Sequence, residues 1–397
     1  MGLPGAPNAN PISLSPGQTL TGSLGPGDPA QIIPQLDSLS RFVDTYSLNN
    51  LTPRTGIELT VASADFIPSI EIVNTATNET IMGAIGIRNE VQLRTFVLSN
   101  VAYSVRVTTT PGSANQGTYY LGLASLPEGI PGFQIDLQFL DTAAGPVPAA
   151  IQRLAQEATT RWQTLITADI PDASVSLAPG QCNLPLTAFP ILNQPVDDLL
   201  ILVRLDPSLS AAATAGPCRT RGLGTPTVVG QINLSPTLFA FDEATIRTVL
   251  VHEIGHVLGL GSGSGTWVRG LTNRGSTDPR QTTASAVRQY QALGGQQASI
   301  PVQLQAERHW RGDNEGGDSL GLELMTPTIR AGTLNPLSRI TLGFLDDIDY
   351  TVNLDAADPF SVPSDSRHSI TQEGRFIDLG NDYIPLPDNS TEGVELR

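Results

Sequence analysis

A chain of 397 residues with 40% hydrophobic content is long enough for two or three domains and can bury sizeable cores. Its formal net charge is −16 and only 15% of residues are charged, so an acidic surface repels nucleic acid and anionic membranes, and neither is expected as a partner. The 38 glycines and 31 prolines make turns frequent, which favours a β-rich protein with a handful of helices.

Residues 1–17 are rich in Pro, Gly, Asn and Ser and read as a flexible lead-in. The opening Met1-Gly2-Leu3-Pro4-Gly5 has no basic n-region and no apolar h-region, so no signal peptide is expected in it. From 18 to 126 short β-like segments follow one another: Gly56–Val61, Ser69–Val73, Val101–Val107 and Tyr119–Leu123. They recur at roughly 10-residue spacing with turn residues between, the pattern of an all-β sandwich. This region holds no His and no Cys and its acids are scattered, so it reads as a structural or binding module. Through Gly22-Ser23-Leu24, Val43-Asp44-Thr45-Tyr46 and Gly117-Thr118-Tyr119-Tyr120-Leu121 it resembles the bacterial pre-peptidase C-terminal-type sandwich found beside secreted proteases.

Ser125 to Gly132 reads as a linker, and a second domain is expected over 133–353. It opens on an alternating strand, Phe133–Phe139. Pro148–Thr167 then carries Ile151, Leu154, Ala158, Trp162 and Leu165 on one helical stripe. Asp197–Leu205 and Val228–Leu234 read as strands, giving an α+β order. The two cysteines, Cys182 and Cys218, are a disulfide in an oxidising compartment and free thiols in a reducing one. No run approaches the roughly 18 apolar residues of a membrane span.

The chemistry concentrates in His252-Glu253-Ile254-Gly255-His256. Asp242 can cap a helix whose apolar positions are Ile246, Val249, Leu250, Ile254, Val257 and Leu258. Histidines four apart lie one turn above each other and can share one Zn²⁺ through neutral imidazoles. Glu253, beside the first of them, is placed to act as general base on a water and then as acid to a leaving amine. Such a motif also arises by chance as two ordinary helix histidines. Against that stand the scarcity of His (four in the chain), the apolar helix around the motif, and Gly259 and Gly261 just after it, where a helix must stop.

A zinc peptidase needs a third ligand. In the short pattern HExxHxxGxxH it would fall at position 262, which here is Ser262, a poor ligand. His309 lies 53 residues beyond His256, and His368 sits in an acidic tail over 354–397. The carboxylates Asp278, Glu307, Asp313 and Glu323 are rivals for the place. Asp346, Asp347 and Asp349 read as an exposed helix end, in preference to a calcium site, and Tyr350 as core.

Taken together these segments resemble the leishmanolysin family of metzincins over about 133–353. The matching residues are His252 through Gly261 with Thr266-Trp267, Ala286–Gly295, Ile300-Pro301-Val302, His309-Trp310, Glu323-Leu324-Met325-Thr326-Pro327 and Ser338–Tyr350, with Ala158–Thr167 upstream. In that family an insertion separates the motif glycine from the third histidine; here it would be 261–308. The resemblance implies a metzincin-type catalytic domain with one catalytic zinc held by His252, His256 and His309. It further implies Glu253 as catalytic residue, Met325 in the methionine turn beneath the site, and a secreted peptidase of proteins or peptides. The low cysteine count and the sandwich depart from the eukaryotic members and point to a bacterial relative; secretion in turn favours a Cys182–Cys218 disulfide. The competing reading is a binding or adhesion module whose sandwich does the work while the peptidase fold is inactive. Substrate preference, activation and oligomeric state are not legible in the residues.

Overall fold

The computed structural model describes residues 12–32, 40–52, 56–76, 78–86, 89–97, 102–110, 113–125, 132–178, 180–183, 192–222, 226–262, 265–315, 317–333, 335–364, 376–379 and 394–396. The chain divides into two compact units, 1–128 with 395–397, and 129–394. The segment 126–131, most of the expected linker, and His368 lie outside the described residues.

The first unit is a β-sandwich. One sheet has the order β1-β3-β8-β5-β6, formed by β1 (Ile12–Leu14), β3 (Asp44–Leu48), β8 (Tyr103–Thr109), β5 (Pro68–Asn74) and β6 (Glu79–Ile85). The other is β2 (Gln18–Leu24), β9 (Gly117–Ser125), β4 (Gly56–Ala62) and β7 (Glu90–Phe96), in the order β2-β9-β4-β7. Alternate residues of the strands face one shared core that includes Leu14, Leu59, Val61, Ile72, Val105 and Leu121. The lead-in expected over 1–17 needs correcting at its end. Ile12–Leu14 pair in parallel with Tyr46–Leu48, and Leu14 is fully buried, because an apolar residue next to an open sheet edge gains more from pairing than from solvent. Inside the sandwich the Tyr119 hydroxyl donates to Asp44 Oδ2 at 2.5 Å and lies 2.6 Å from the Tyr46 hydroxyl.

The second unit is α+β. Its four-stranded sheet runs β10 (Ile135–Leu140), β13 (Leu199–Leu205), β15 (Thr227–Leu234) and β14 (Ala213–Thr220). The first three are parallel and β14 is an antiparallel edge. Outside that sheet, β11 (Ala173–Leu177) pairs antiparallel with β12 (Leu192–Val196). Helix α1 (Ala149–Leu165) buries the expected stripe, with Ala155 and Thr159 added, against α2 (Glu243–Leu258). Asp242 caps α2 through a bond from Thr245 N at 3.0 Å. From Val249 to Leu258 every residue of α2 is buried, so its second half is enclosed on all sides and the one-stripe expectation understates it.

The 261–308 insertion is a folded element. It contains α3 (Gly265–Gly270), three two-residue strands β16 (Leu271–Thr272), β17 (Arg280–Gln281) and β18 (Ile300–Pro301), and α4 (Ala284–Ala292). Trp267 packs its ring against Trp310 and Phe344, with centroids 5.0 and 5.1 Å away. Helix α4 lies on α5 (Arg339–Asp347). Here Asp347 is no idle exposed acid: its two oxygens accept from Ser285 N and Ala286 N at 2.8 and 2.9 Å, satisfying free N–H groups at the start of α4. Asp349 is buried in a left-handed turn (φ 74°) that ends the α5 segment. Nor is the expected acidic tail wholly free, since Phe376–Asp378 pair with Thr328–Arg330. Among the described residues no helix is long and apolar enough to cross a membrane.

Cys182, in a short turn Gln181–Asn183, is disulfide-bonded to Cys218 on β14, across a sequence separation of 36. Loop-closure entropy for a ring of this size amounts to roughly 3–4 kcal/mol. We expect Cys218→Ser to lower the unfolding free energy of this unit by about that amount. Intact mass with and without reductant, followed by denaturant melts, checks it; two free thiols in oxidised material would refute it.

Candidate metal centre

The second half of α2 presents His252 and His256 to one point, and both are fully buried. The helix ends at Gly259, and the chain then turns sharply through Gly261 (φ 76°). A Cβ at Gly261 would lie 2.1 Å from the Arg308 carbonyl oxygen, so only glycine fits there. The Arg308 guanidinium in turn donates to Gly261 O at 2.9 Å. The insertion therefore leaves and returns at one place. His309, its next residue, arrives beside the helix although it is remote in sequence.

The three imidazoles converge. His256 Nε2 lies 3.1 Å from His252 Nε2 and 3.0 Å from His309 Nε2. Each Nδ1 points away to an oxygen: His252 to Leu324 O at 2.6 Å, His256 to Leu260 O at 2.9 Å, and His309 to Gln303 Oε1 at 2.8 Å. Carbonyl oxygens only accept, so each Nδ1 carries the proton and each Nε2 turns a lone pair toward the others. Lone pairs about 3 Å apart on either side of His256 repel one another. A shared proton relieves one contact, whereas a cation relieves all of them. Tetrahedral bonds of 2.0–2.1 Å would hold imidazole nitrogens roughly 3.3 Å apart, close to what is seen. The donor set thus fits a metal ion that takes imidazole ligands, such as zinc, copper, iron or nickel.

Glu253 is fully buried next to His252. Met325 is fully buried and packs on the helix at Gly255, where a Cβ would lie 2.6 Å from Met325 Sδ. Trp162 crowds the same Gly255 position, where a Cβ would lie 3.4 Å from its ring, and its Nε1 donates to Val251 O at 2.9 Å, fixing α1 against the residue before His252. Ser262 is buried, with its N–H bonded to Gly259 O.

The rival carboxylates are committed elsewhere. Asp278 pairs with Arg280 and Arg311 at 2.8 and 2.9 Å. Glu307 accepts from Gly275 N at 2.6 Å, and Asp313 accepts from the Ser319 hydroxyl. Glu323, fully buried, accepts from Met325 N, Ser338 N, Ser338 Oγ and Thr341 Oγ1. Tyr350 is fully buried and its hydroxyl accepts from Thr227 N at 3.1 Å, a core role. Gln303 and the Leu260 and Leu324 carbonyls escaped sequence reading. Two of them are backbone groups, and nothing in the spacing marks an amide six residues before a histidine.

A second acidic group, Asp169, Asp197 and Asp198, brings carboxylate oxygens within 4.8 Å of one another. The buried Arg221 beside them supplies positive charge, and its side chain donates to the carbonyls of Pro171, Thr227 and Asp197. Burial pushes the Asp198 carboxyl up to about 7, against bonds from Ile170 N and Gln134 N and the pull of Arg221. A carboxyl raised on folding adds stability that is fully present below its unfolded value near 4 and is lost as pH rises through 7. We expect Asp198→Asn to gain melting temperature relative to the parent between pH 4 and 8; parallel pH profiles would contradict this.

No protein-family model matches this chain, and no curated protein matches it. Solved structures do. The pre-peptidase C-terminal domain of a collagenase from Bacillus anthracis is 15% identical, over 31% of this chain and 99% of that domain, with a TM-score of 0.21. A carbohydrate-binding module from Clostridium stercorarium, solved in complex with cellobiose, is 9% identical, over 30% of this chain and 98% of the module, with a TM-score of 0.17. At such scores neither likeness adds weight to the sandwich, which stands on its own two sheets and their common core.

Proposed function

We propose that the second unit is a zinc-dependent endopeptidase of the leishmanolysin-like metzincin type, secreted, acting on proteins or peptides. The observation that carries the reading is the convergence of three Nε2 lone pairs from His252, His256 and His309, each with its Nδ1 proton spent on an oxygen. Those three residues would hold the ion. When bound, it supplies Lewis acidity that polarises a scissile carbonyl and acidifies water. Glu253 takes the proton of the attacking water on its carboxylate and delivers it to the leaving nitrogen. Met325 and Trp162 pack together against the motif helix at Gly255, keeping the histidines in register. The disulfide fits an oxidising compartment outside the cytosol.

The test is metal analysis of the pure full chain together with hydrolysis of casein. Near-stoichiometric zinc and casein cleavage are expected, and a chelator should lower the melting temperature of this unit. Removing an ion present at 1,000 times its dissociation constant costs about 4 kcal/mol. A pure chain that takes up no zinc ends the proposal.

A second reading gives the sandwich the working role. Tyr120 is 61% exposed on the outer face of the β2-β9-β4-β7 sheet, above a groove of about 370 Å³ lined by Thr19, Glu58, Thr60 and Gly122. A zinc-loaded chain that hydrolyses no peptide of a library would favour this binding role.

A further inference from the structure

His309 is held differently from the other two histidines. His252 and His256 give their Nδ1 protons to backbone carbonyls, which no substitution removes. His309 gives its proton to a side chain, the Oε1 of Gln303 at 2.8 Å. The two residues face each other across a hairpin. Gln303 N donates to His309 O at 2.9 Å, and Val302 bridges Trp310 just beyond. Gln303 is buried, 5% exposed, and cannot trade this contact for water.

The amide's orientation is fixed independently of the histidine. Arg308 N, a backbone donor, points at the same Gln303 atom at 3.3 Å, so that atom must be the oxygen. An oxygen there can only accept, which places the His309 proton on Nδ1 and leaves Nε2 bare, 3.0 Å from His256 Nε2. With the amide removed, the ring is free to carry its proton on Nε2, where it would block the ion.

We propose that Gln303 is the positioning residue of the third ligand, fixing the tautomer and the ring plane of His309 for the metal. This rests on the metal-centre reading above. Partners of this kind change metal affinity about 10- to 100-fold when removed.

The experiment uses the full chain and titrates Zn²⁺ against a chromophoric chelator, with Co²⁺ spectra alongside. Gln303→Leu should weaken zinc binding roughly 10- to 100-fold and reshape the visible Co²⁺ bands. Gln303→Glu, which keeps an oxygen at the same reach, should restore both. In a His309→Ala background Gln303→Leu should change the affinity no further, because its effect passes through that ring. Parental zinc affinity in Gln303→Leu overturns the proposal, as does an equal loss with and without His309. A parent chain that binds no zinc sinks the metal-centre reading itself, a distinguishable result.

Discussion

Glu253→Gln should lower kcat/KM for peptide hydrolysis by roughly 10²- to 10⁴-fold, the usual worth of a positioned general base. The substitution keeps size and shape at a position with no solvent exposure, so packing around His252 is retained. Zinc content and melting temperature should therefore stay at parental values while turnover collapses. A loss of zinc would mean that Glu253 serves the structure of the site, and an undiminished rate on casein would remove it from the chemistry altogether. The variant thus separates the catalytic role proposed for the carboxylate from the ligand role proposed for its histidine neighbours.

Glu323→Ala should be the most destabilising single change near the site. The carboxylate accepts four bonds: Met325 N at 2.6 Å, Ser338 N at 3.1 Å, Ser338 Oγ at 2.8 Å and Thr341 Oγ1 at 2.6 Å. Thr341 also accepts from Trp310 Nε1 at 2.9 Å, so the network reaches the residue after His309. Burial pushes the Glu323 carboxyl up, and these donors pull it back. Truncation strands the donors at a fully buried position. Breaking a buried charged network costs about 3–5 kcal/mol, a large part of a typical folding free energy. For a unit of this size the melting temperature should fall by roughly 10 °C. Zinc affinity should fall with it, because Leu324, next in sequence, supplies the carbonyl that orients His252. Thermal melts of the metal-free chain check the first effect, and an unchanged transition would show that the carboxylate is not the hub.

Much of this was determined by local sequence. The Asp242 cap, the apolar run through Leu258 and the i, i+4 histidines are short-range features, and periodicity reports them directly. The alternating strands of the sandwich are equally local, although Ile12–Leu14 were too short to stand out from the loose residues before them. Asp346, Asp347 and Asp349 show the limit. Their pattern suggested an exposed helix end, but Asp347 binds the start of a helix about sixty residues earlier.

Spacing left the third position open among His309 and four carboxylates, the family resemblance alone singled out His309, and its place beside the helix was decided by tertiary structure. Ser262 occupies the place where a short motif would put it, and the residues between offer no periodic signal. Only the closure of the insertion, with Arg308 against Gly261, returns the chain to the helix and sets His309 beside His256. Spacing in sequence carries no information about a loop whose ends touch, because the entropy of closing it varies only slowly with its length. The buried Trp267–Trp310–Phe344 contacts stabilise that closure, and they form only when α3, the His309 hairpin and α5 are packed together.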